Sequence, residues 1–557
     1  MIDGATAEVV GSYVGAAAEE MRATLIRTAF NPVIYEVLDF GISVYDAQLE
    51  LIAEAPGLTH FLGANDYSIR KGVEYVGAES MEPGDVVLLN YPYWNAAHTH
   101  DATLFSPFFH AGSELPTAYL CVRAHWLDLG AKDPGYVLDS TSVFQEGILF
   151  PGTKVFKRGA IDREIVELIR FNSRLPDLVV GDLHAQVAAL RTGERRLQEI
   201  YERFGRATVE EAIELVARHG EERTRRALLA LPQGSWTATD LLDDDGVGTD
   251  PIPMQATVTI ADGTFEVDFA GSAGATVGPV NMPFGATLAM CKVAMKALTT
   301  PDEPGNGGHM RPLRVKAEPG TLFHAVAPAP TFTLWTGIVA LELIFKAVAQ
   351  GMPERLAAST GGDVPGFMMV GIHPDSGQMF AVSNNEPVGW GATPTHDGVS
   401  ATLHLSESIV RNTPIEVLES KTTMLVERLE LRRDSAGAGR FRGGLGVART
   451  IRFLGSGEFL SVVKKTRTRP WGLAGGHEAE TNGFVLRPGT ERERAVSTHR
   501  EPVEPGDRVL VLSGGGGGHG DPAERDPERI VDDIREGYVS EAAAARDYGL
   551  TLSPEST

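Results

Sequence analysis

Between Gly84 and Gly130 the chain reads GDVVLLNYPYWNAAHTHDATLFSPFFHAGSELPTAYLCVRAHWLDLG. Two apolar runs frame this stretch. Val86–Leu89 is bounded by Gly84-Asp85 and Asn90-Tyr91-Pro92, and Ala118–Val122 ends in Arg123-Ala124-His125. Short apolar runs closed by turn residues predict buried strands. A polar loop between them carries His98, His100 and Asp101. Strands that deliver imidazoles and a carboxylate to loop ends suit a metal site on a rigid scaffold. His98 and Asp101 are spaced to share one loop, and His125 must arrive through the fold.

The rest of the chain predicts an α+β protein: a mixed multi-layer body with a β-rich C-terminal part. Val9, Val10, Tyr13, Val14, Met21, Leu25 and Ile26 give Thr6–Phe30 helical spacing, and Asn31-Pro32 stops it. Phe40, Ile42 and Val44 alternate within Tyr35–Leu51, which predicts a strand with Glu36 and Asp39 at its mouth. Pro56–Gly63, with His60, is expected to be a loop, Asp66–Val76 a short helix, and Ser140–Pro151 strand-like around a Gln145-Glu146-Gly147 corner. Asp162–Asn172, Asp182–Phe204 and Val209–Leu231 read as helices with solvated charged faces, and Pro232-Gln233-Gly234 breaks the pattern.

Beyond that break, strands are expected at Ser235–Leu241, Met254–Ile260, Thr264–Phe269, Phe367–Asn385 and Thr413–Val426. Further strands are expected at Leu425–Arg432, Gly446–Phe453, Phe459–Lys464, Gly483–Leu486 and Arg508–Leu512. Thr287–Leu298 and Trp335–Gln350 read as buried helices, and Asp526–Tyr548 as a helix pair broken at Glu536-Gly537. Three parts are expected: 1–232 with the metal site, a mixed 233–420, and a β-rich 421–557 closed by helices. Asp243-Asp244-Asp245-Gly246 reads as an acidic turn, since it lacks the alternating ligands and terminal Glu of a calcium loop. Gly514–Gly518 could cradle an anion through backbone N–H groups, but no Lys-Ser/Thr follows as a P-loop requires. The alternatives are a packed structural loop and a substrate-facing loop.

Composition narrows the chemistry. A net charge of −24 over 557 residues opposes binding to phosphate backbones, so no nucleic-acid partner is expected. Two cysteines, Cys121 and Cys291, argue against a disulfide scaffold or a thiolate zinc site and fit a reducing cytoplasm. Both lie in apolar runs, where thiols are inert. Met1-Ile2-Asp3-Gly4 lacks the start of a signal peptide, and the most apolar helix, Trp335–Ala349, is too short to span a bilayer. No G-x-S-x-G elbow and no H-E-x-x-H motif is present. What remains is His98, Asp101 and His125, with Asp39 or Glu36 as a fourth ligand. Two imidazoles and one or two carboxylates suit zinc, manganese or iron(II). His100 is expected to point away from the ion and to serve the substrate.

These residues also resemble a known family, the hydantoinase B/oxoprolinase proteins. The resemblance is carried by Glu36-Val37-Leu38-Asp39-Phe40, Gly84–Tyr93, the His98/Asp101 pair, Arg123-Ala124-His125 and Gln145-Glu146-Gly147. It continues through Gly181-Asp182-Leu183, Arg191–Arg196, Arg411–Pro414, Arg442–Gly446, Pro470–Gly476 and Gly516–Pro522. It implies a B-type subunit that holds the metal, beside an A-type subunit of actin-like ATPase fold that binds ATP and phosphorylates the substrate. In the hydrolases a cyclic amide or imide of hydantoin, oxoproline or lactam type is opened by water. In the related acetone- and acetophenone-type carboxylases the ion would hold an enolate from a ketone. A non-catalytic scaffold subunit is the third possibility. Glu146 is the candidate for acid–base work. The chain departs from the family at Tyr91, at Asn95-Ala96-Ala97 and at Trp126, after His125. Tyr91, Trp94 and Trp126 are therefore expected to line a bulkier, more aromatic pocket suited to a flatter or more apolar substrate.

Overall fold

The computed structural model describes residues 2–333, 335–407 and 409–551. They form two compact units: Met1–Ser235 with Ala256–Gly337 and Ser408–Val410, and Trp236–Gln255 with Ile338–Glu407 and Arg411–Thr557. The architecture is α+β. No helix among the described residues is long and apolar enough to cross a membrane.

The first unit opens with α1 (Gly4–Thr28), capped by Asp3, whose carboxylate accepts from Thr6 N–H. A short helical turn, α2 (Pro32–Tyr35), leads into β1 (Phe40–Asp46) and β2 (Leu51–Ala55). There follow α3 (Thr59–Val76), β3 (Val86–Leu89), α4 (Pro92–Asn95), β4 (Asp101–Phe108), β5 (Ala118–His125), β6 (Pro151–Lys157) and β7 (Ala160–Ile161). The seven strands make one antiparallel sheet in the order β2-β1-β5-β4-β3-β6-β7. After α5 (Arg163–Asn172) come the long helices α6 (Pro176–Phe204) and α7 (Arg206–Ala230).

Both faces of this sheet are covered, which is why β3, β4 and β5 are buried at every residue. Ile42, Val44, Leu88, Leu104, Leu120 and Val122 join the core with α1 and α6. Their neighbours in sequence, Tyr45, Val87, Leu89, Phe105, Tyr119 and Cys121, pack with Ile69 and Val73 of α3. The period of two along a strand separates the two sets. Beyond α7, β8 (Gly234–Leu242) and β9 (Ile252–Ala261) carry the chain between the units. The first unit resumes through β10 (Thr264–Asp268), α8 (Phe284–Thr299), α9 (Gly307–Met310) and β11 (Leu313–Lys316). α8 lies so close to α3 that a Cβ on Gly63 would come within 3.0 Å of Ala289 Cβ.

The second unit contains most of α10 (Trp335–Ala349), then β12 (Gly366–Ile372), β13 (Met379–Asn385), α11 (Ile415–Lys421), β14 (Met424–Leu431) and β15 (Val447–Phe453). It continues with β16 (Gly457–Val462), β17 (Gly483–Leu486), β18 (Arg494–Val496), β19 (His499–Val503), β20 (Arg508–Leu512), α12 (Pro527–Arg535) and α13 (Glu541–Tyr548). Its sheets, β13-β12-β16-β19 and β14-β15-β20-β17-β18, share one core that includes Phe367, Met369, Ile451, Phe453, Val509 and Val511. The acidic turn is paired, with Asp244 bonded to Lys464 at 2.6 Å and Asp243 accepting from Thr466.

Gly514–Gly518 is a packed structural element. Its backbone bonds to Gly389, Ala392, Gly437, Gly444 and His477. A Cβ on Gly516 would lie 1.9 Å from Trp390 O, so only glycine fits.

Several elements differ from expectation. Tyr35 belongs to a helical turn, and the strand begins at Phe40. His60 lies in the first turn of α3 rather than in a loop. Residues 140–150 hold only a 3-10 turn at Val143–Gln145, and Ile415–Lys421 is a helix rather than a strand. β4 was not expected.

Candidate metal centre

The centre lies where three neighbouring strands end. β4 and β5 run antiparallel in register, Asp101 opposite His125 and Thr103 opposite Arg123. Opposed residues project to one face with Cβ atoms about 4.5–5.5 Å apart, so the first residue of β4 meets the last residue of β5. His125 Nδ1 is 3.0 Å from Asp101 Oδ1. Phe40 of β1 pairs with Ala124, which continues to Asp39 beside His125, and the His125 N–H donates to the Asp39 carbonyl at 3.3 Å. His98 comes from the turn before β4, its Nδ1 3.4 Å from Asp101 Oδ2 without hydrogen-bond geometry.

His98, Asp101 and His125 each offer a ligand atom within 4.8 Å of the others, and all three are buried. Four polar atoms here have no hydrogen-bond partner among the described residues: His98 Nδ1, Asp101 Oδ2, His100 Nε2 and Asp39 Oδ1. Each orphaned atom costs about 1–3 kcal/mol. The imidazole and carboxylate donors therefore fit a divalent transition ion.

Burial decides the charges. It pushes the Asp39 carboxyl up to about 7, against the pull of His125 and with the repulsion of Asp101. It also raises Asp101, opposed by His125 and Arg123. His98 is driven well down by burial and then by the charge of His125, and His100 falls to about 3 for the same two reasons. His125 alone of the three is raised, because the hydrogen bond and charge of Asp101 outweigh its burial. Neutral imidazoles are the form that binds a metal.

The support beneath the centre is polar and fixed. Fully buried Arg123 donates from Nε to Thr103 Oγ1 at 2.9 Å, and from Nη2 to Ser68 Oγ at 2.5 Å and Asn95 O at 2.6 Å. Asn95 Nδ2 in turn donates to Asp101 O at 2.6 Å. This lattice ties α3, α4, β4 and β5 to the turn that carries His98 and Asp101. His60 is buried beside it, its Nε2 without a partner, and burial, then the charge of Arg123, lower it to about 3. On α6, Asp182 accepts from Phe30 and Asn31 N–H, and Asn31 Nδ2 donates to His125 O.

Asp39, Glu36, His100 and Glu146 are not among the grouped ligands. Glu36 caps the end of α2, half-buried. The His100 ring centre is 6.3 Å from that of His98 and 6.0 Å from that of His125. Glu146 is fully buried. Its Oε1 accepts from Ser140 Oγ at 2.7 Å, Thr331 N at 2.9 Å and Phe332 N at 3.1 Å.

The expected aromatic wall is corrected. Trp126 follows His125 on the chain and so turns to the opposite face, where its indole N–H donates to Gln186 Oε1 of α6. Tyr91 and Trp94 pack on each other and on Tyr93 and Tyr75, in the cluster of α3. The rings that do touch the imidazoles are Phe332 and Tyr136. Neither was singled out from the sequence, since Phe332 follows Asp101 by more than 200 residues in a segment without motif or periodicity.

Comparison with known proteins agrees with this architecture. The sequence matches hydantoinase B/oxoprolinase over residues 3–522. It is 30% identical to a protein of Pseudomonas sp. (strain NS671) named as the B-type subunit of a candidate D-/L-hydantoinase, over 99% of this chain and 96% of that one. The structure of the ATP-dependent caprolactamase from Pseudomonas jessenii superposes with a TM-score of 0.91 at 26% identity, covering 100% of this chain and 97% of the other. Nucleotide-free acetone carboxylase shares the fold, with a TM-score of 0.88 at 19% identity over 98% and 80%. The chain belongs to the hydantoinase B/oxoprolinase family.

Proposed function

We propose that this chain is the metal-holding catalytic subunit of a heteromeric, ATP-dependent amidohydrolase that opens a cyclic amide or imide. His98, Asp101 and His125 would hold a divalent ion, zinc, manganese or iron, with Asp39 as the fourth ligand and Glu36 its substitute. The observation that carries this is the set of buried donor atoms left without partners at three adjacent strand ends. When bound, such an ion supplies Lewis acidity at the carbonyl to be attacked and lowers the pKa of water. The protein's own part is to keep His98 and His100 neutral by burial and to hold the Asp101 loop rigid through Arg123 and Asn95. His100, whose buried Nε2 has no partner among the described residues, would serve the substrate rather than the ion.

The hydrolase reading is favoured over carboxylation because the hydantoinase and caprolactamase likenesses reach 30% and 26% identity, whereas the carboxylase likeness, at 19%, is one of fold. ATP would be bound by an A-type partner, in keeping with a relative named as one subunit of a hydantoinase. Two buried, unbridged cysteines support a cytoplasmic setting.

The test is metal analysis of the purified chain, then ATP turnover by the complex with its A-type partner on lactams, imides and ketones, with and without bicarbonate. About one transition ion per chain and bicarbonate-independent ring opening are expected. Bicarbonate-dependent turnover of a ketone would instead make it a carboxylase subunit. A chain that takes no ion in metal-replete expression would be a scaffold.

A further inference from the structure

The faces turned on the imidazoles are hydrocarbon. Phe332 lies parallel to the His98 ring, centres 5.0 Å apart and planes within 6°, and edge-on to His100 at 4.9 Å. Tyr136 stacks on His125 at 5.7 Å and meets Phe332 edge-on at 5.8 Å. Ala131 and Val137 complete this apolar cluster.

No strand or helix sets the position of Phe332; side chains and loop backbone hold it instead. One oxygen of buried Glu146 accepts from both Thr331 N–H and Phe332 N–H. On one side Tyr93 Oη donates to Ala329 O at 2.6 Å, and Asn281 Nδ2 to Pro330 O at 3.0 Å. On the other, Thr333 N–H donates to Pro279 O at 2.9 Å. Each residue from Ala329 to Thr333 is thus fastened, and the ring cannot be moved cheaply. The bonds from Ser140 Oγ and from the Thr331 and Phe332 N–H groups all fall on Glu146 Oε1, which ties that oxygen to the backbone at Thr331 and Phe332.

We propose that Phe332 is a specificity-determining residue and that Glu146 is its positioning residue. Together they select cyclic amides whose remaining ring atoms are hydrocarbon over those that carry a second polar group. The inference rests on the functional reading above and names the substrate class of the same site. A carboxylate or second carbonyl turned to the Phe332 ring loses water and gains no hydrogen bond from it, a discrimination of about 10- to 100-fold.

The test uses the complex reconstituted with its A-type partner and a matched pair, 2-pyrrolidinone and 5-oxoproline, which differ by one carboxylate, with hydantoin as a third probe. The wild-type complex is expected to favour 2-pyrrolidinone in kcat/KM by at least about tenfold. Phe332→Gln should narrow that ratio about tenfold, while Phe332→Leu keeps it. Glu146→Gln retains an acceptor oxygen and should keep the substrate ratio near that of the wild type, whereas Glu146→Ala should raise KM and narrow the ratio. Preference for 5-oxoproline or hydantoin in the wild type, or an unchanged ratio in Phe332→Gln and Glu146→Ala, overturns the inference alone. Loss of turnover in Glu146→Gln as complete as in Glu146→Ala makes Glu146 an acid–base group and overturns its positioning role. A complex that opens none of the three amides overturns the functional reading and this inference together.

Discussion

Asp101 and His125 occupy one rung of the β4–β5 ladder, and their side chains meet at 3.0 Å. The pair exists because of register. A one-residue slip of either strand would turn one of the two side chains to the α6 face. Asp101→Asn keeps the shape and removes the charge. Metal affinity is expected to fall by more than the ~10- to 100-fold that loss of an outer-sphere partner costs. Metal titration checks this, with the fold retained by circular dichroism.

Arg123 has no carboxylate within ion-pair distance among the described residues and serves neutral acceptors on three elements. A lysine carries the charge but lacks the planar fork that reaches these acceptors together. Arg123→Lys should cost about 2–4 kcal/mol through orphaned buried groups. It should also loosen metal binding, because Asn95 then no longer fixes the Asp101 loop. Thermal melts with and without metal separate the two effects.

His100 should part company with the ligands. Burial holds it near 3, so it is neutral across the working range. His100→Gln is expected to keep the metal content and to lower kcat of the complex. A fall in bound metal would make His100 a ligand instead.

Asp182 gives a pH signature. Burial raises its carboxyl to about 7, opposed by the N–H groups of Phe30 and Asn31. In the unfolded chain it titrates near 3.9, so between these values the folded state holds an extra proton. Stability therefore falls as pH rises from about 4 to about 7, and that loss is complete above this window. Asp182→Asn should make the decline shallower between pH 4 and pH 7. Unfolding midpoints from pH 5 to pH 8 check the slope.

In the second unit, Gly516→Ala places a methyl group against the Trp390 carbonyl, where nothing flexible can yield. A loss of at least about 3 kcal/mol is expected. Gly483→Ala meets nothing within 4 Å and should be nearly neutral. Limited proteolysis of the two variants distinguishes them.

Much of the framework was legible in the chain. Val86–Leu89 coincides with β3, and the helices read at Asp162–Asn172 and Asp182–Phe204 lie within a few residues of α5 and α6. Where reading failed, burial had hidden the pattern. α3 buries His60, Asn65 and Ser68 at core positions, so its first turns look polar. β4 is buried throughout and contains Pro107, so it shows no alternation and carries a breaker.

The sequence by itself determined the candidate ligand types. His98 and Asp101 stand in a polar loop, and Arg123-Ala124-His125 closes an apolar run that local turn chemistry marks as a strand. Only the tertiary structure decided which side chains face them. The period of two along β5 sent Trp126 into the α6 core while keeping His125 at the centre. The bonds of Glu146 to Thr331 and Phe332 brought in a ring more than 200 residues distant from Asp101. Local propensity acts over a few residues and can place strand ends. What covers them depends on long-range hydrogen bonds and packing, which no short window of sequence contains.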